Sequence, residues 1–120
     1  MATDNDSCPL MKERTRKLRR LNDYLRQTRK GGKYVLSGEL GDLDENIQFS
    51  IFVRIAYYSH LNGENDAQNE HNSGWVNLGD GEKIIWKIDY FDLNMKNASP
   101  DPSDSNVTRR VLTAMLSIER

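Results

Sequence analysis

"GWVNLGDGEKIIWKIDYF", residues 74–91, decides how this chain is read. Two β-rich runs flank Asp80-Gly81, a pair that supplies the positive φ of a type I′ turn, so the stretch reads as a hairpin. With a two-residue turn, Trp75 faces Trp86, Val76 faces Ile85 and Asn72 faces Asp89. Ile84, Trp86, Ile88 and Tyr90 then share one side with Trp75, and that side is the expected core. A cross-strand Trp pair adds on the order of 0.5–1 kcal/mol beyond its area. Lys87, Asp89 and Asn72 fall on the other, wet side. A turn one residue longer would shift every pair and set His71 opposite Asp89.

Upstream of the hairpin, "NGENDAQNEHNS" (62–73) is a polar loop. "DLDENIQFSIFVRIAYYSHL" (42–61) is ambiguous, because its apolar residues satisfy both a two-residue and a 3.6-residue period. Its length favours a helix over 44–60, with Asp42 and Glu45 as a capping box. "KYVLS" (33–37) reads as a strand. From Met11 to Thr28 the spacing predicts a helix with Met11, Leu18, Leu21 and Leu25 on one stripe and Lys12, Arg16, Arg19, Arg20 and Lys30 around the far side. The glycines of "KGG" (30–32) end it.

Downstream, "NMKNASPDPSDSN" (94–106) is a turn-rich connection. "VTRRVLTAMLSIER" (107–120) places Val107, Val111, Ala114, Met115 and Ile118 on one helical face, with Arg109 and Arg110 outward and Ser105 or Asp104 as the cap. The assembled expectation is an α+β fold: a small antiparallel sheet of about three strands with three helices packed on one face. Residues 1–9 read as a disordered leader and 10–120 as one domain.

The bulk composition is consistent with this. A chain of 120 residues with 37% hydrophobic content can bury a single core without disulfides. The lone cysteine, Cys8, fits a reducing cytoplasm and is a weak candidate nucleophile in "DNDSCPL". The polar start is no secretory signal, and no apolar run is long enough to span a membrane. Charge is split: residues 1–33 carry ten Lys or Arg against four acids, while the remainder carries seven against fourteen. A basic arm is joined to an acidic body.

"GGKYVLS" after a basic helix, "NEHNSGWV", "WKIDYFD" and "SPDPSDSNVTRRVLTAMLS" together resemble the family called domain of unknown function 3768. The resemblance runs from about Leu21 to Glu119. It implies a small bacterial protein, often carried on plasmids or prophages, with no established activity, and it supports the helix at 44–60. The family pattern has a glutamate-histidine-aspartate where this chain has Glu70-His71-Asn72, which removes one potential carboxylate.

Functional expectations follow from what is present. Glu70, His71, Asn72, Lys87, Asp89 and Asp92 gather near the open end of the hairpin as a candidate polar site. The spacing of "EHN" matches no metal motif, so no metal, cofactor or catalytic residue is assigned. The expected role is a non-enzymatic macromolecule-binding protein, with a protein partner and, in one form, a mobile-element inhibitor of a host defence system. The alternative is nucleic-acid binding through Lys12, Arg16, Arg19, Arg20 and Lys30, whose spacing suits successive phosphates, although Asp23 sits close enough to neutralise Arg19 and Arg20. A third reading is a small metal-dependent or acid–base enzyme at Glu70, His71 and Asp89.

Overall fold

The computed structural model describes residues 9–58, 70–77 and 81–119. Its elements run α1 (Pro9–Thr28), β1 (Lys33–Leu36), a short 3₁₀ turn (Gly38–Asp42), α2 (Glu45–Ala56), β2 (Ser73–Asn77), β3 (Lys83–Phe91) and β4 (Arg109–Leu116). The strands form one sheet in the order β1-β4-β3-β2. β4 runs parallel to β1 and antiparallel to β3, and β3 runs antiparallel to β2. The α+β class stands. Among the described residues the sheet has four strands and is mixed, rather than three and antiparallel, and two α-helices cover it rather than three.

The difference lies in residues 107–120, expected as a helix: Arg109–Leu116 folds as β4 and Ser117–Glu119 as a 3₁₀ turn. This strand is flanked on both sides, and its Arg110, Leu112, Ala114 and Leu116 point to the helices. Val111 on the opposite side is also buried, so the run lacks clean polar alternation, and a strand apolar on both sides imitates a helical stripe. Val111 and Thr113 carried the β preference.

α1 holds Leu18 and Leu25 against the core, as its stripe requires, and includes Pro9. Residues 1–8, including Cys8, lie outside the described residues, as does His60. The α2 cap is Asp44, whose carboxylate accepts from the Asn46 N–H at 2.8 Å, so the Asp42 capping box does not form. α2 buries Ile51 and Ile55 and ends at Ala56, short of the expected 60. Leu25, Leu40, Ile51, Ile55, Ile84, Trp86 and Leu112 are the fully buried heart of the core.

The hairpin is real but its register differs by one residue. Trp75 pairs with Ile85 and Gly74 with Trp86, because the strands close at Asn77 and Lys83 rather than on a two-residue turn. Asp80 lies outside the described residues, while Gly81 has the positive φ expected of it (93°). Trp86 is buried, whereas Trp75 stays 46% exposed on the far face, so the two indoles do not stack. A glycine opposite Trp86 is required: a Cβ on Gly74 would sit 2.8 Å from the Trp86 ring nitrogen and 2.7 Å from the Tyr58 ring.

Gly32 has a similar role where α1 hands over to β1. A Cβ there would lie 2.4 Å from the carbonyl oxygen of Arg110. Gly32→Ala must therefore push β1 away from β4, and it is expected to cost about 1–3 kcal/mol. Chemical denaturation checks this, and an unchanged midpoint would refute the close approach.

Candidate functional site

A set of buried and half-buried polar residues meets between α1 and the ends of β3 and β4. α1 presents Asn22 and Asp23 and, one helical turn on, Arg26 on its inward side, alongside the apolar Leu18 and Leu25. Asn22 is fully buried and is fully used. Its amide donates to the Glu70 carbonyl and to the Tyr90 hydroxyl, both at 2.8 Å, and its oxygen accepts from Arg110 Nε at 2.6 Å. Tyr90 donates onward to the Glu70 carboxylate at 2.9 Å, which also accepts from the Asn72 amide at 3.2 Å. Arg110 donates from Nη2 to the Pro102 carbonyl and stacks over the Tyr90 ring at 5.2 Å.

The electrostatics follow from burial. Desolvation above all pushes the Tyr90 phenol well above its ordinary range, with Asn22 acting against that and Glu70 adding to it. Tyr90 is therefore a neutral donor at physiological pH. Burial lowers the pKa of Arg110, opposed by Tyr90 and Glu70. The guanidinium nonetheless stays charged.

A second knot adjoins the first. Asp23 accepts from Arg26 Nη2 at 3.2 Å and meets His71 Nδ1 at 2.9 Å. Arg26 Nη1 reaches the carbonyls of Ile55, Ala56 and Tyr58 at 2.9, 3.0 and 3.3 Å. These carbonyls stand at and just past the C-terminal, negative dipole end of α2, so Arg26 ties one helix to the terminus of the other. His71 is swung toward α1 by a left-handed backbone (φ 55°). It does not stand against Asp89.

The six expected site residues thus separate into three groups. Glu70, His71 and Asn72 join α1 within the helix layer. Lys87 and Asp89 lie on the opposite face of the sheet as a half-exposed pair, 3.4 Å apart. Asp92 accepts the backbone N–H groups of Lys96 and Asn97, the first of which does most to hold its carboxyl below the usual range. Asn22, Tyr90 and Arg110 had no place in the expected site. Arg110 could have been suspected from its position within an apolar run.

The described charges on the basic side of α1 are partly spoken for. Arg16 pairs with Glu13 at 3.1 Å, Arg20 and Lys30 point to solvent, and Arg19 is half-buried. Lys12 lies within α1. Asp23 is engaged by Arg26 and His71 rather than by Arg19 or Arg20. Arg14 reaches across to Asp101 at 3.1 Å, beside a cavity of about 220 Å³ that Glu70 also lines. That volume falls below the usual range of ligand pockets. Among the described residues no three His, Cys, Asp or Glu side chains group so as to hold a metal.

The family model described as "Protein of unknown function (DUF3768)" matches residues 36–119, beginning later than the expected Leu21. The chain belongs to this family. The DUF3768 span carries α2, β2, β3 and β4 with Glu70, Tyr90 and Arg110, whereas Asn22, Asp23 and Arg26 precede it. No curated protein and no solved structure matches the chain. No helix among the described residues is long and apolar enough to cross a membrane.

Proposed function

We propose that this DUF3768 protein is a non-enzymatic protein that acts by binding a macromolecule. The observation that supports this most is the division of its polar groups. Asn22, Arg26, Tyr90 and Arg110 are turned inward onto one another, onto Glu70 and onto backbone carbonyls. Glu70 and His71 lie on the helix side and Asp89 on the other, so the three are not one acid–base constellation. Among the described residues, charges face solvent along α1 and on the far face of the sheet, as in a binder.

A protein partner, or the narrower role of a mobile-element inhibitor of host defence, is one form of this reading. Nucleic-acid binding through α1 is another, favoured by exposed Arg20 and Lys30. The test is affinity purification from the native host with three baits. These are the unchanged chain, a helix-face variant (Arg16→Glu with Arg20→Glu), and a variant of the internal cluster (Glu70→Gln). A stoichiometric macromolecule retained by the Glu70→Gln bait supports binding, and its loss from the helix-face bait assigns it to α1. Recovery of no macromolecule, or turnover of a small molecule abolished by Glu70→Gln, overturns the proposal.

A further inference from the structure

Both helices pack on one side of the sheet, and among the described residues the other side carries no helix or strand of its own. Strand alternation and register put Trp75, Ile85, Phe91 and Met115 on that open side, none of them fully buried. Four cations stand among them, Lys33 on β1, Arg109 on β4, and Lys83 and Lys87 on β3. The strands contribute a single acid there, Asp89, and it is taken by Lys87. Of the other described acids, Glu39, Asp42, Asp44 and Glu45 stand around the start of α2, beside core residue Leu40, while Glu82 and Asp92 flank the two ends of β3.

Two open troughs shape this face. One, of about 580 Å³, runs between Lys33 and Arg109, floored by Gly31 and Gly32 and walled by Leu93 and Met95. It contains no carboxylate. Arg109 is steadied by a 3.4 Å contact from Nε to the Leu93 carbonyl, which leaves the rest of the guanidinium facing outward. The other, of about 590 Å³, lies at the β2 end between Trp75, Lys83 and Lys87. Lys83 Nζ rests 4.6 Å from the Trp75 ring centroid, so the indole is already positioned as a cation's partner. A phosphate would draw this ammonium off the ring and free its surface for a base.

We propose that the open face of the sheet binds single-stranded nucleic acid, with backbone phosphates met by Lys33, Arg109, Lys83 and Lys87 and a base stacked on Trp75. This rests on the macromolecule-binding reading and moves the interface from α1 to the sheet. Cations spread over a flat face with an accessible aromatic suit a splayed strand, whose bases can leave the stack, better than a duplex. A second copy docked face to face would oppose cations with cations.

The test is fluorescence anisotropy of the full chain with a labelled 15-nucleotide deoxythymidine strand, alongside quenching of Trp75 emission. Affinity is expected to fall about 20- to 50-fold between 50 and 200 mM salt for three or four phosphates. Trp75→Ala should weaken binding about 5- to 100-fold. Lys33→Glu with Arg109→Glu should weaken it at least as much, and Lys83→Glu offers an independent third change at an exposed site. Arg16→Glu with Arg20→Glu should leave it unchanged. Binding lost in the helix variant but kept in the sheet variants overturns this inference while sustaining a binding role. Displacement of the strand by polyglutamate at equal charge, with Trp75→Ala silent, overturns it in favour of an acidic protein segment. No binding at 50 mM salt overturns it outright.

Discussion

Arg110→Met is expected to destabilise the protein by about 3–5 kcal/mol, the usual result of removing one partner from a buried charged network. The side chain of Arg110 is the centre of that network: Asn22 and Pro102 accept from it, and Tyr90 lies beneath it. Methionine fills much of the volume but leaves the buried Asn22 oxygen and the half-buried Pro102 carbonyl without a donor, which is the costly half of the exchange. Tyr90→Phe removes only a hydroxyl and should cost about 0.5–1.5 kcal/mol, leaving Asn72 to serve Glu70. Thermal unfolding is the measurement, with a fall in Tm of about 10–20 °C for Arg110→Met. A loss under about 1 kcal/mol would show that the network is solvated and only loosely held.

Trp86→Ala should be similarly severe, at about 3–5 kcal/mol, and Trp75→Ala should cost less than about 1 kcal/mol. Trp86 is fully buried, with Tyr58 packed edge-on at 5.7 Å, Arg26 over its ring at 5.8 Å and Gly74 opposite. Trp75 lies half-exposed on the open face with Lys83 over its ring. The two variants therefore separate the faces of the sheet: equal effects on denaturation would mean that the open face is covered. Emission spectra give a second reading, since removing Trp86 should leave only the solvent-exposed, red-shifted indole.

The contrast between those two tryptophans also shows where sequence reasoning succeeds. Alternation through Ile84, Trp86, Ile88 and Tyr90 identified the buried side of β3 correctly, because that strand keeps a polar residue at Lys87 and Asp89. It could not set the register, which depends on the turn closing the hairpin; pairing ends at Asn77 and Lys83, one residue off the expected pattern. β4 was misread for a related reason: an arginine occupies a core position and Val111 is buried on the far side, so the period-two signal is erased from both directions. The polar cluster was half legible. Glu70, His71 and Asn72 did attract notice as a group, but their true neighbours, Asn22 and Asp23, are 48 residues away in the chain, and no local spacing announces them.

The order of the strands has a temporal side. β4 lies in the middle of the sheet yet is the last of the four strands in the chain, and it pairs with β1, whose partner residues Lys33 and Val111 bracket most of the sequence. During vectorial synthesis β1 and the β2–β3 hairpin emerge from the ribosome with no central strand to join, and the apolar sides of α1 and α2 wait with them. At typical elongation rates of about 5–20 residues per second, that exposure lasts for several seconds. Once β4 appears, one docking event completes both of its ladders and delivers Arg110 to Asn22. Folding should thus come late and as a single cooperative step, limited by closure of a long loop rather than by local helix formation. The nascent chain is a natural client for chaperones that shield apolar segments.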